Sequence, residues 1–68
     1  MDLKISMAAA RVNAKKSQEE LAKEMGLTRT TIVSWENGKI IPKPAQFEMF
    51  CRLCEIPKDN VFLPTNQT

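Results

Sequence analysis

Arg29, Thr30, Val33 and Ser34 are the side chains of this 68-residue chain with the most to offer a ligand. On a helix, with Arg29 set at zero, Val33, Asn37 and Thr30 fall at about 40°, 80° and 100°, whereas Ile32 and Trp35 fall at about 300° and 240°. Apolar residues take one side, and a short, mostly polar face with a single guanidinium takes the other. The chemistry such a face can do is recognition by hydrogen bonds and charge. The groups needed to break bonds are missing by type. There is no histidine, and the two cysteines fall short of the four ligands of a structural zinc site. No nucleophile–base pair and no phosphate loop is present. Cys51-Arg52-Leu53-Cys54 has C-x-x-C spacing, but a redox role for that motif needs a βαβ setting. At helical spacing both sulfurs fall on a stripe with Phe47 and Phe50, so they read as reduced core residues. No enzyme, metal or cofactor is expected.

The charge distribution points the same way as the Arg29 face. Ten basic and eight acidic residues net +2, yet residues 11–43 alone hold seven basic and four acidic ones. A basic excess centred there is compatible with a nucleic-acid surface, although charge on a solvated face has the same appearance. Chains this short bury only about 60% of the surface that their unfolded form exposes. They usually need disulfides, a metal, a partner subunit or very regular helix packing, and the residue types leave the last two. No apolar run approaches the roughly 18 residues of a membrane span, and no signal-peptide pattern opens the chain. A cytoplasmic location without a membrane partner is expected.

Turn punctuation divides the chain into short helical pieces. The first is predicted from about Leu3 to Ala14, with Leu3, Met7 and Ala10 on one face and a poorly marked end. Ser17-Gln18-Glu19-Glu20 is a capping box that starts the second. Its inner face is Leu21, Ala22 and Met25, and Gly26 closes it. Thr28 is a natural N-cap for the third, which buries Ile32 and Trp35 and stops at Asn37-Gly38. Pro42 and Pro44 bound a loop, and Pro44 opens the fourth, whose inner stripe is Phe47, Phe50, Cys51 and Cys54. A last short turn is predicted over about Lys58 to Phe62. No strand pattern appears, so the fold class is all-α. Two helices joined by a tight glycine turn, with the small Ala22 at their crossing, form a helix-turn-helix arrangement.

The run from Ser17 to Lys39, SQEELAKEMGLTRTTIVSWENGK, resembles the core of the Xre/Cro phage-repressor helix-turn-helix family. The likeness reaches from Arg11 through Pro44 to about Phe62, and "SQEELA", "ENGK" and the proline that follows carry most of its specificity. The resemblance implies a compact five-helix, lambda-repressor-like domain over residues 1–64, usually dimeric, that binds operator DNA and regulates transcription; residues 65–68 read as a flexible polar tail. It implies that the third helix enters the major groove. There Arg29 could hold guanine O6 and N7 bidentately, Thr30 and Ser34 could bond to either base type, and Val33 could meet a thymine methyl. Without a ligand, Arg29 is an ordinary solvated arginine and Val33 a single exposed valine. Backbone contacts are implied for Gln18 at the start of helix two and for Thr28, Asn37 and Lys39 around helix three, with Lys43 a plausible addition. Lys15 and Lys16 depart from the family, which more often has glycine and an apolar residue there. Lys15 is therefore either a further backbone contact or a lysine on a solvated turn. The family also pairs an arginine of helix one with the glutamate of "ENG", here Arg11 and Glu36, as a structural ion pair.

Met49 and Leu53 lie near 200° and 240° when Phe47 is at zero, off the inner stripe. With Val61, Phe62 and Leu63 they form a candidate homodimer patch, unless the last turn folds over and covers Leu53. The expected function is a homodimeric, sequence-specific regulator of transcription, a repressor, on double-stranded DNA. The alternative is an antitoxin-like module that uses the helix-turn-helix mainly as a scaffold to bind another regulatory protein.

Overall fold

Four α-helices follow that punctuation: α1 (Met7–Asn13), α2 (Gln18–Met25), α3 (Arg29–Glu36) and α4 (Pro44–Leu53). The computed structural model describes residues 4–63. Leu3, the expected start of helix one, and the expected tail 65–68 lie outside the described residues. No helix among the described residues is long and apolar enough to cross a membrane. Where a fifth helix is expected there is only a three-residue 3-10 turn, Lys58–Asn60. The reason is local: Glu55 is already left-handed and Val61 already extended, so the segment between them has room for a single turn.

The first helix also begins later than predicted. Ser6 caps it, its Oγ accepting from the Ala9 amide at 3.0 Å. The residue before the cap is drawn elsewhere: Ile5 forms an isolated parallel bridge with Val61. The Ile5 amide donates to the Asn60 carbonyl at 2.9 Å, and the Phe62 amide donates to the Ile5 carbonyl at 2.8 Å. This clasp corrects the predicted dimer patch. Val61 is 3% exposed and belongs to the chain's own core, and Leu53 is half-buried against the same core. Met49, Phe62 and Leu63 remain exposed.

The core is built around Trp35, Phe50, Leu21 and Ile32, the largest side chains that are fully buried. Each such side chain contributes about 1.5–3 kcal/mol by leaving water. Met7 and Ala10 join from α1, and Phe47, Cys51 and Cys54 from α4, so the apolar stripes predicted for these helices face inward. Burial pushes the Cys51 thiol up and the Cys54 thiol up to about 11, which keeps both protonated and unreactive near neutral pH.

All four helices end in one backbone motif. A residue with positive φ follows each: Lys15 (61°), Gly26 (70°), Gly38 (75°) and Glu55 (55°). The next amide then donates back five residues: Lys16 to Arg11 at 3.2 Å, Leu27 to Ala22 at 2.8 Å, Lys39 to Ser34 at 2.9 Å, and Ile56 to Cys51 at 3.0 Å. This is the Schellman closure, which satisfies carbonyls that the helix leaves unpaired. It sets the direction of every inter-helix connection, including the one that presents the third helix.

Candidate nucleic-acid interface

The α2–α3 pair is held by contacts made close by in sequence. At the start of α2 the Glu20 amide donates to Ser17 Oγ at 3.0 Å, and the Ser17 amide donates to Glu20 Oε1 at 2.8 Å. The hydrogen bond from the Ser17 amide holds the Glu20 carboxyl below the usual glutamate value. A Cβ on Gly26 would meet nothing within 4 Å, so its positive φ, not lack of space, is what calls for glycine. Thr28 caps α3, its Oγ1 accepting from the Thr31 amide at 3.4 Å and sitting 3.1 Å from Thr31 Oγ1. Leu21 and Ala22 on one side and Ile32 and Trp35 on the other are buried, which fixes the rotation of α3 about its axis.

That rotation decides what α3 shows. Arg29 and Thr30 are exposed at its N-terminal end, and Val33 and Ser34, further along the same side, are half-buried. Thr28, Asn37, Lys39 and Lys43 are exposed on either side of the helix. Gln18 comes to this region too: Arg11, Ser17, Gln18, Glu19 and Arg29 line one open, polar cleft of about 650 Å³. The starts of α2 and α3 thus share a surface, with Arg11 and Arg29 as its basic members and Glu19 as its acidic one.

Behind the cleft three helices are tied together by one carboxylate. Arg11 Nε donates to Glu36 Oε2 at 2.7 Å and Arg11 Nη2 to Glu36 Oε1 at 3.3 Å. The side chains are only 14% and 6% exposed. The third guanidinium nitrogen, Nη1, donates to the Lys16 carbonyl at 2.8 Å, so Arg11 also fastens the turn after α1. Gln18 Nε2 donates to Glu36 Oε1 at 3.0 Å. Sequence reasoning gave Gln18 a role towards phosphate only and missed this inward bond. The cue available was that a carboxylate facing one arginine has lone pairs to spare.

Two lysines before α2 are occupied differently from the rest of the basic set. Lys16 Nζ lies 3.0 and 3.1 Å from the two Glu24 carboxylate oxygens, and that hydrogen bond raises its pKa above the ordinary lysine value. An exposed pair of this kind adds little stability. Lys15 does not line the cleft of Gln18 and Arg29; it lines a cavity of about 430 Å³ between the ends of α1 and α4, with Cys54 and Glu55. The expected dimer patch is dispersed as well. Phe62 borders a small cleft beside Met7 and Trp35, whereas Leu63 borders an apolar groove beside Ile41 and Phe47. Composition alone could not assign Ile41 to that groove, because it sits in a loop.

A family model described as helix-turn-helix, HTH_3, matches residues 7–59. No curated protein and no solved structure matches the chain. The matched span runs from the first residue of α1 into the 3-10 turn, so it takes in the cleft, the α3 face and the Arg11–Glu36–Gln18 tie.

Proposed function

Because the chain belongs to the Xre/Cro-like helix-turn-helix family, we propose that it is a sequence-specific regulator of transcription, a repressor that reads double-stranded DNA with α3 as a homodimer. One observation carries this reading. The buried Ile32 and Trp35 turn α3 so that Arg29 and Thr30 stand exposed at its N-terminal end, the part of a recognition helix that meets base edges. Arg29 offers a bidentate contact to guanine, and Thr30, Val33 and Ser34 extend the reading along the groove. Gln18, Thr28, Asn37, Lys39 and Lys43 flank that face and would position it on the phosphates. Lys15 stands apart from this set, lining a cavity with Cys54 and Glu55. Two copies would place their third helices in successive major grooves, with half-sites about one helical turn of DNA apart.

The test is selection of bound sites from random duplex DNA at two salt concentrations. A roughly palindromic enriched site is expected, with affinity falling steeply as salt rises. Arg29→Ala should relax the base preference at one position in each half-site, a loss of about 1–3 kcal/mol in discrimination. Lys39→Ala should weaken all sequences alike and lower the salt slope by about 1 for each copy. Failure to enrich any site would overturn the proposal.

A further inference from the structure

We infer that the cavity between the ends of α1 and α4 binds a small zwitterion, a molecule with a carboxylate at one end, an ammonium at the other and a short alkyl body between them. The cavity has a volume of about 430 Å³, a size that suits a small molecule. Its apolar lining is the buried Ala10 with the half-buried Ala14 and Ile56. Asn13, Lys15 and Glu55, all exposed, supply its polar lining. It shares no residue with the cleft of Gln18 and Arg29, so the site is separate from the α3 face.

Three observations select this ligand. The first is strain. Two of the four helix closures use a residue with a Cβ, Lys15 and Glu55, and both line this cavity; Gly26 and Gly38 do not. Glycine at either position would relieve the left-handed backbone, so what the chain gains there is the side chain. Strained residues of this kind gather at ligand sites. The second is charge. The ion pairs among the described residues are Arg11–Glu36 and Lys16–Glu24, so one cation and one anion line the cavity without a partner. A ligand with a single charge would attract one of them and repel the other. A zwitterion answers both. The third is the direction of the helices. Ala14 and Cys54, the C-caps of α1 and α4, both line the cavity. Helix C-termini favour a cation, which adds to the pull of Glu55 on the ammonium. Cys54, protonated near neutral pH, contributes no further anion. The Lys16 carbonyl, next in the chain after Lys15, accepts from Arg11 Nη1 at 2.8 Å. A ligand held by Lys15 therefore braces the turn that Arg11 and Glu36 tie to α3.

The test uses straight-chain amino carboxylates from β-alanine to ε-aminocaproate, titrated into the isotope-labelled full chain at constant ionic strength and followed by amide chemical shifts. One length should half-saturate at about 1 mM or below, with the shifts centred on Asn13, Lys15, Cys54 and Glu55. The same chain carrying only the carboxylate, or only the ammonium, should bind at least about tenfold more weakly. Lys15→Met should bind the amino carboxylate and the plain ammonium within about threefold of each other, and Glu55→Gln should do the same with the plain carboxylate. Both variants change exposed residues and keep a Cβ at the left-handed position, and thermal melts without ligand check that each is folded. A series in which no member binds, shifts centred outside this cavity, or variants that retain the wild-type preference for the doubly charged ligand would each overturn the inference. None of these readings uses DNA, so the outcome is independent of the role of α3.

Discussion

The inner helices, α2 and α3, and the outer ones, α1 and α4, end in the same backbone motif but with different residues. Gly26 and Gly38 close the inner pair, whereas Lys15 and Glu55 close the outer pair. A left-handed residue with a Cβ costs roughly 1–2 kcal/mol more than glycine. The inner pair thus has its turns made cheaply by local chemistry, with Ser17 and Thr28 capping the starts. The outer helices adopt their ends because other contacts hold them: Arg11 against Glu36 and the Lys16 carbonyl, Ile5 against Val61, and Phe50 and Cys51 in the core. The unit that would read DNA is specified nearly in isolation, and its frame is specified by tertiary structure.

The sharpest way to break that distinction is to cut the tie between frame and unit. Glu36→Ala leaves the Arg11 guanidinium almost enclosed, with its carboxylate gone and Gln18 Nε2 without its acceptor. A loss of about 3 kcal/mol is expected, and for a domain of this size it lowers the melting midpoint by roughly 15 °C. Replacing both partners, Arg11→Met with Glu36→Leu, should recover much of that loss, because no stranded charge remains. Where Glu36→Ala still folds, in the cold, it should select the same DNA site as the wild type. A midpoint unchanged from wild type would show that the frame does not depend on this carboxylate.

Gly26→Ala probes the inner unit by itself. The added Cβ has open space around it, so the expected cost of about 1–2 kcal/mol is the backbone's alone. Thermal melts should show a fall of roughly 5–10 °C. Ala22→Leu would confuse the reading with steric displacement, since Ala22 is buried in the crossing; the glycine isolates the turn.

The same contrast explains what could be read from the sequence. The α2 capping box, Gly26, the Thr28 cap and the stop at Asn37-Gly38 are signals a few residues long, and the structure has each of them. The α4 stripe was legible because four residues at helical spacing share a burial fate. The end of α1 was obscure because Lys15 is not a turn residue by propensity, and its φ is imposed by the Lys16-to-Arg11 closure and the Arg11 contacts. Val61 was misassigned because its burial depends on Ile5, 56 positions earlier in the chain, a pairing without any local mark. For the candidate site, the outward face of α3 follows from which residues are apolar. The inward bond of Gln18 does not, since it needs the distance between two helices.

The smallest expected effect tests the outer helix ends directly. Lys15→Gly and Glu55→Gly should each raise stability by about 1 kcal/mol, or roughly 4–8 °C in melting midpoint, by removing a strained Cβ without touching the core. The two residues line one cavity with opposite charges, so the double variant measures whether they interact. Gains that add within about 0.5 kcal/mol mean the ends are independent, and a double gain that exceeds the sum of the single ones by more than that measures their attraction. Lys15→Gly also has a second readout that Glu55→Gly lacks. Lys15 lines a different cavity from the cleft shared by Gln18 and Arg29, so its removal should leave the salt dependence of DNA binding unchanged while Lys39→Ala reduces it. A reduced slope for Lys15→Gly would move this lysine into the phosphate-contacting set. The outer frame would then be giving up stability at that turn to keep a charge near the DNA.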